Sequence, residues 1–202
     1  MLLRYAVTVR HAMGATAAPP PVLRSLGRGV PEGFLSSDEV AGLISEGLSQ
    51  LDLDGKRVLA IVPDGTRTMP MLLVYGVLER DLGPRAAQLD VLIALGTHAP
   101  MDDSQLSRHL GRQVIAGSVD RTRVFNHRWN DPDAFATLGT IPASEIENLT
   151  GGVLRQDVPV SLNKSILNYD HLLVCGPVFP HEVAAFSGGS KYFFPGIAGP
   201  ES

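Results

Sequence analysis

The chain has 202 residues and a net charge of −4, with 17 Lys and Arg against 21 Asp and Glu. A hydrophobic fraction of 44% and a charged fraction of 19% exclude a disordered chain. The negative balance argues against non-specific nucleic-acid binding. The single cysteine, Cys175, excludes an intrachain disulfide and a zinc site of several thiolates, and it favours a reducing, cytoplasmic location.

No segment predicts a membrane span. The longest run without Asp, Glu, Lys or Arg is His11–Leu23, and it contains three prolines, whereas a spanning helix needs about 20 apolar residues. Ala15–Ala17 resembles a signal-peptide cleavage site, but Arg4 and Arg10 interrupt the apolar region before it. We therefore expect neither membrane insertion nor secretion.

Three elements are predicted in the N-terminal quarter. Met1–Val9 alternates apolar residues with the period of a strand, and Ala12–Pro21 is a Pro- and Ala-rich loop or arm. Ser36–Leu51 is predicted to be a helix, because a serine can cap it, acidic residues follow, and apolar residues recur at helical spacing.

Apolar strands and helices then alternate along the chain. The predicted strands are Arg57–Pro63, Leu89–Leu95, a short Val114–Ala116 and His171–Cys175, and the predicted helices are Pro70–Leu82 and Asp102–Leu110. Continuous apolar strands separated by helices are typical of a buried parallel sheet. We predict an α/β fold with a mainly parallel sheet flanked by helices. The region from 121 to 161 is punctuated by Pro and Gly and gives no clear prediction.

Polar side chains follow each of the three longer strands. Asp64 and Arg67 follow the first strand, His98 follows the second, and His181 follows the third. Ligands of open α/β sheets bind beyond the carboxyl ends of the strands. If the strands are parallel, these side chains converge on one cleft.

Each of these residues also has a purely structural interpretation. The sequence Asp64–Thr66 is typical of a turn in which the aspartate caps backbone amides. Arg67 could pair with a surface acid or grip a carboxylate or phosphate in a bidentate manner. Each histidine could be structural, which is our interpretation for His11, His109 and His171. Asn126-His127 is a further candidate for lining the cleft.

The densest polar segment is Ser187–Lys191. Ser187, Gly188 and Gly189 could bring backbone amides close to an anion, or form a flexible turn. Lys191 adds a positive charge or a nucleophilic amine. The spacing of a Walker loop is absent, so nucleotide hydrolysis is not supported.

Two histidines on separate loops favour acid–base chemistry, since imidazole titrates near neutral pH. Inverting a stereocentre needs one such group on each face of the carbon. An arginine would hold a substrate carboxylate, and a lysine beside a phosphate loop could carry a cofactor. A pyridoxal-type Schiff base at Lys191 and a non-catalytic domain that binds a small molecule or phosphate remain alternatives.

Five motifs together resemble the nickel-dependent lactate racemase family and occur in the family's order. They are Asp64–Arg67, Gly96–Met101, Pro180-His181, Phe186–Lys191 and Pro195–Gly199. The resemblance implies a Rossmann-like N-terminal domain over residues 1–202. It also implies racemisation of a lactate-like 2-hydroxy acid by hydride transfer to a nickel-pincer nucleotide.

The resemblance also implies individual roles. Lys191 would carry the cofactor covalently, Ser187, Gly188 and Gly189 would lie by its phosphate, and Asp64 would contact it. His98 and His181 would be the catalytic bases, and Arg67 would bind the substrate.

Two departures from the family limit this expectation. Family members are longer, and the family's nickel-binding histidine has no counterpart that can be assigned here, so no metal ligand is predicted. We expect a truncated N-terminal domain that lacks the cofactor and is inactive alone. The identity of the hydroxy acid and the formation of homo-oligomers are left open.

Overall fold

The computed structural model describes residues 24–181 and 185–202. The predicted strand Met1–Val9 and the predicted arm Ala12–Pro21 lie outside the described residues. Within them, every helix is too short or too polar to cross a membrane.

Four helices and nine strands make up the described chain. The helices are α1 (Ser37–Ser49), α2 (Met71–Leu82), α3 (Asp103–Leu110) and α4 (Ala143–Leu149). The strands are β1 (Arg57–Pro63), β2 (Gln88–Ala94), β3 (Ser118–Val119), β4 (Thr122–Asn126), β5 (Phe135–Ile141), β6 (Val158–Asn163), β7 (His171–Val174), β8 (Phe179–His181) and β9 (Ala185–Ser187). Short 3-10 turns cover Pro132–Ala134, Lys164–Asn168 and Gly189–Tyr192.

The central sheet has five strands in the order β3-β4-β2-β1-β7. The neighbours β4, β2, β1 and β7 are parallel, and only β3 runs antiparallel to its partner. This confirms the predicted mainly parallel sheet. The strand order reverses direction at β1, because β2 lies on one side of it and β7 on the other. Such a reversal opens a crevice at the carboxyl ends of the strands.

The alternation of side chains along β1 divides the core into two layers. Val58, Ala60 and Val62 join the cluster formed with the helices, whereas Leu59 and Ile61 join a second cluster on the opposite face. Tyr192 and Ile197, from the segment after β9, complete that second cluster. Burial of the second face therefore anchors the segment that carries Lys191.

Capping fixes where two of the predicted helices begin. Ser36 and Glu39 form a capping box at α1, and Asp102 and Gln105 form another at α3. The predicted starts at Ser36 and Asp102 are therefore the cap residues, one position before each helix. The glycine that ends α3, Gly111, adopts a left-handed conformation with φ 68°.

The short strand predicted at Val114–Ala116 is wrong. The strand in this region is β3, at Ser118–Val119, and Ile115 makes only an isolated bridge to Ser118. Ala116 and Gly117 have φ values of 49° and 71°, so the chain turns there instead of continuing as a strand. The unassigned region beyond it contains an antiparallel hairpin of β5 and β6 with α4 between them.

A buried carboxylate ties the sheet to its second face. Asp90 is fully buried in β2. It accepts hydrogen bonds from the Arg123 guanidinium at 2.8 Å and from the Tyr169 hydroxyl at 2.5 Å. These donors offset the cost of burying the charge. Asp90 lies outside the cleft described below, and we interpret it as structural.

Candidate functional site

A cleft of about 190 Å³ lies beyond the carboxyl ends of β1, β2 and β7. The structure brings six of the sequence-predicted site residues to its wall, namely Asp64, Arg67, His98, Ser187, Gly188 and Lys191. They converge because parallel strands end at one edge of the sheet and the segment after β9 packs back over that edge. Gly189 does not line this cleft.

His181 is the remaining predicted histidine, and the structure describes its backbone alone. Its backbone lies in β8 and pairs with Ala185 of β9. Its side chain lies outside what the structure describes, so its convergence with His98 stays a prediction.

Asp64 and His98 form a close pair at the cleft. Asp64 is buried, and its Oδ1 accepts hydrogen bonds from the backbone amide of Thr66 at 3.1 Å and from the Thr66 hydroxyl at 2.5 Å. Its Oδ2 lies 2.5 Å from His98 Nδ1. Burial raises the pKa of Asp64, but the hydrogen bonds from Thr66 and His98 outweigh it and leave the pKa below its ordinary value. Asp64 is therefore ionised at neutral pH.

The ionised carboxylate sets the tautomer of His98. A carboxylate only accepts hydrogen bonds, so Nδ1 of His98 carries the proton that it donates to Asp64. In the neutral ring Nε2 is then left with its lone pair, able to take a proton. About half of the His98 side chain is exposed, so a ligand in the cleft can reach it.

The loop that carries His98 is held from two sides. Asn126, at the end of β4, accepts from the Met101 amide at 3.0 Å and donates to the Met101 carbonyl at 2.9 Å. Trp129 Nε1 donates to the His98 carbonyl at 3.2 Å. On the other side, the Gly96 amide donates to the Gly196 carbonyl at 2.9 Å. Asn126 therefore positions the loop and does not line the cleft.

His127 is part of the core. It is fully buried, and its Nδ1 accepts from the Asn163 side-chain amide at 3.2 Å. Its ring packs edge-on against Phe135, with ring centroids 5.6 Å apart. Burial lowers the pKa of His127 despite the nearby Ala198 carbonyl. The hypothesis that His127 lines the cleft is therefore wrong.

A wider cavity of about 660 Å³ adjoins the cleft and shares Asp64 and His98 with it. Met101, Arg108 and His109 are among its other lining residues. The Nε2 of His109 donates to the Pro63 carbonyl at 2.9 Å, and burial lowers the pKa of this ring. His109 thus has the structural contact expected of it, although it also faces a cavity.

The segment Ser187–Gly189 approaches the cleft at Gly188, a position where any larger residue would collide with the chain. Gly188 has φ 86°, and a Cβ built on it would collide with the Pro177 carbonyl oxygen. Gly189 also has a positive φ, 57°, but a Cβ on it would meet open space. The close passage of the chain past Pro177 therefore depends on Gly188.

These two glycines make a matched pair for mutation. We expect Gly188→Ala to destabilise the chain by about 2–5 kcal/mol, because backbone strain adds to the collision. We expect Gly189→Ala to cost only about 1–2 kcal/mol, the penalty of the left-handed conformation alone. Urea unfolding of the two variants measures the difference, and equal losses would contradict the assignment of Gly188 to a close approach.

Two cations face the cleft without an acidic partner. Within the described part of the chain, neither Arg67 nor Lys191 forms an ion pair, whereas Arg57 and Arg112, for example, each do. The alternative that Arg67 pairs with a surface acid is therefore not seen among the described residues. Unpaired positive charge at a concave site favours an anionic ligand.

Tyr192 is a cleft residue that the sequence did not single out. It is 7% exposed and lines the cleft together with Lys191 and Pro195. A Cβ on Gly176 would collide with the Tyr192 hydroxyl, so this ring occupies the space that a glycine leaves open. The position of Gly176 directly after a buried strand was the available signal.

No group of three or more His, Cys, Asp or Glu that could hold a metal ion occurs among residues 24–181 and 185–202. This finding concerns sites built from this chain's own side chains.

The chain is similar to a known protein family, to curated proteins and to solved structures. The family model described as the lactate racemase N-terminal domain matches residues 42–202. Lactate racemase of Lactiplantibacillus plantarum is 28% identical over 156 residues, which cover 76% of this chain and 33% of that protein. Lactate racemase of Thermoanaerobacterium thermosaccharolyticum is 27% identical over 145 residues, which cover 71% of this chain and 30% of that protein.

Two solved structures are similar in fold. A crystal structure of a protein from Thermotoga maritima has a TM-score of 0.72 and 31% identity, and the match covers 83% of this chain and 39% of that one. The lactate racemase apoprotein of Thermoanaerobacterium thermosaccharolyticum has a TM-score of 0.64 and 23% identity, with 87% and 42% covered. The chain spans about a third of the length of the two curated relatives.

Proposed function

Because the chain belongs to the lactate racemase N-terminal domain family, we propose that it contributes the N-terminal, Rossmann-like part of a racemase of a 2-hydroxy acid. The observation that carries the proposal is the pair of His98 and Asp64 in one cleft with Arg67 and Lys191. A base, a carboxylate-binding cation and a lysine that can hold a cofactor are then within one site.

Arg67 is the candidate for binding the substrate carboxylate. Arg67 lines the cleft without an acidic partner among the described residues, and the planar fork of its guanidinium matches a carboxylate. An anionic substrate would also supply the acidic partner that Arg67 lacks among the described residues.

His98 is the candidate for taking the hydroxyl proton, at Nε2. The imidazolium formed by that transfer is stabilised by the Asp64 carboxylate on Nδ1, which also keeps the ring in its working orientation. A positioned base of this kind contributes a factor of about 10²–10⁴ in rate. His181 would serve the opposite face of the same carbon.

The described residues fit the organic part of a nickel-pincer nucleotide. Gly188 permits a close approach of the chain, and Lys191 offers an amine without an acidic partner in the described chain. Lys191 would hold the cofactor covalently, and Ser187 with Gly188 and Gly189 would lie by its phosphate. The pincer brings its own sulfur and carbon ligands for nickel, so three protein ligands are not required. When bound, the cofactor supplies the electron acceptor that racemisation needs.

Two other functions share the same residues. A Schiff-base enzyme would use the Lys191 amine with a pyridoxal-type cofactor, but the cleft shows no feature that favours it over the first proposal. A non-catalytic binding domain would need the cations and the glycine but not an oriented base. The Asp64–His98 pair favours an enzyme over this binding domain.

The remaining parts of the proposal concern partners and location. We place the activity in the cytoplasm, with a small hydroxy acid as the ligand and neither nucleic acid nor a membrane as a partner. The absence of Cys pairs, the negative net charge and the anionic character expected of the ligand support this. The domain alone is proposed to be inactive.

Intact-protein mass spectrometry with nickel analysis tests the proposal. The complete racemase that contains this domain is purified from cells that make the cofactor, both as it is and after borohydride reduction. A mass addition mapped to Lys191 together with bound nickel is the expected result. An adduct that appears only after reduction would favour the Schiff base, and no adduct in either sample would favour the binding domain.

A further inference from the structure

Tyr192 has a mostly buried ring, and its hydroxyl is without a hydrogen-bond partner among the described residues. Only 7% of the residue is exposed, yet it lines the cleft. The other tyrosine of the same apolar cluster, Tyr169, donates its hydroxyl to Asp90 at 2.5 Å. Tyrosines whose rings are mostly buried usually hydrogen-bond through the hydroxyl, and the free hydroxyl of Tyr192, on a residue that lines the cleft, is available to a ligand there.

Two glycines allow close packing around Tyr192, one at its ring and one at its backbone. A Cβ on Gly176 would collide with the ring and its hydroxyl, and a Cβ on Gly196 would collide with the backbone of Tyr192. The residue also ends the 3-10 turn Gly189–Tyr192, directly after Lys191. The ring therefore packs against Gly176 at the wall of the cleft.

The charges around Tyr192 make it a hydrogen-bond donor. Burial is the largest cause that raises the pKa of Tyr192, Cys175 and Asp64 raise it further, and Arg67 opposes them. The phenol consequently keeps its proton throughout the neutral range. Arg67 and Lys191 line the same cleft, so the nearby positive charge attracts anionic groups towards this donor.

We infer that the Tyr192 hydroxyl donates a hydrogen bond to an anionic oxygen of the ligand in the cleft, either a phosphate or a carboxylate. The inference rests on the proposed function only in naming the two sources, a cofactor phosphate or the carboxylate of a hydroxy acid. It adds a residue that recognises the ligand and is separate from the acid–base pair.

Tyr192→Phe tests this role, because it removes the hydroxyl and keeps the ring. Binding of inorganic phosphate, nicotinate mononucleotide and lactate to the full chain is measured by isothermal titration calorimetry. Loss of a hydrogen bond to a charged group predicts a dissociation constant raised about 10- to 100-fold. A loss for phosphate and mononucleotide alone would identify the phosphate as the partner, and a loss for lactate alone would identify the carboxylate.

Tyr75→Phe is the matched control, since Tyr75 is fully buried in the helix-side cluster away from the cleft. It should leave all three affinities unchanged. A merely structural role of the Tyr192 hydroxyl would lower the thermal stability and weaken every ligand equally, which would overturn the inference. Unchanged affinities in Tyr192→Phe would also overturn it while leaving the proposed function intact. If the unmodified chain bound none of the anions, the proposed function would fail, and this inference with it.

Discussion

Lys191→Ala is expected to abolish both the covalent mass addition and the retention of nickel. The chain has three lysines, Lys56, Lys164 and Lys191, and only Lys191 lines the cleft. Its amine has no acidic partner among the described residues, so it is available for a covalent bond. Intact mass and metal content of matched preparations measure the effect, which should be all or none.

Lys191→Arg separates covalent attachment from charge. Arginine keeps the positive charge but lacks the primary amine. We expect this variant to lose the mass addition as completely as Lys191→Ala, while retaining more of the affinity for inorganic phosphate. Lys164→Ala is the control and should keep both adduct and nickel. Equal nickel content in Lys191→Ala and the unmodified protein would refute the attachment site.

The fold was predictable from the sequence wherever a run of apolar residues was long enough to form a complete strand. The run Arg57–Pro63 is seven residues with six of them buried, and its pattern alone indicated a parallel strand. The prediction of a strand at Val114–Ala116 was wrong because three apolar or small residues are too few to distinguish a strand from a turn. There the positive φ of Ala116 decided the conformation.

The candidate site was predictable in part, for a topological reason. Parallel strands end at the same edge, so the placement of Asp64 and His98 near one another followed from the predicted sheet. Their hydrogen bond, and the support of the loop by Asn126 and Trp129, did not follow, because contacts across long sequence separations leave no periodic signal. Tyr192 was missed because its aromatic ring reads as an ordinary core residue until Gly176 is seen beside it.

Two cavities meet at Asp64 and His98, and together they leave the size of the substrate open. The smaller one carries the cations Arg67 and Lys191, whereas the wider one is lined in part by Met101 and Arg108. If Arg67 binds the substrate carboxylate, as proposed, the adjoining cavity beyond His98 offers room for the other substituent. The proposed roles of His98 and Arg67 are therefore compatible with more than one hydroxy acid.

His98→Asn is expected to lower the rate of racemisation by about 10²- to 10⁴-fold, the usual contribution of a positioned base. The complete enzyme with its cofactor is assayed for interconversion of the two lactate enantiomers. Cofactor content, measured by mass, should be unchanged because His98 is not the attachment site. His109→Asn, on the wider cavity, is the control and should keep most of the activity, since His109 is bonded to the Pro63 carbonyl.

Asp64→Asn tests whether the carboxylate orients His98. The hydrogen bonds from Thr66 and His98 hold the pKa of Asp64 below its ordinary value in the folded chain, against the effect of burial. The contribution of Asp64 to stability is therefore complete above the ordinary pKa of an aspartate and is lost as the pH falls through the lowered folded value. Asp64→Asn should remove this acid-side loss of stability, measured by urea unfolding from pH 2 to 7. It should also reduce the rate at neutral pH, because an amide does not stabilise the imidazolium. A variant with the parent's rate and the parent's acid-side profile would show that Asp64 and His98 act independently.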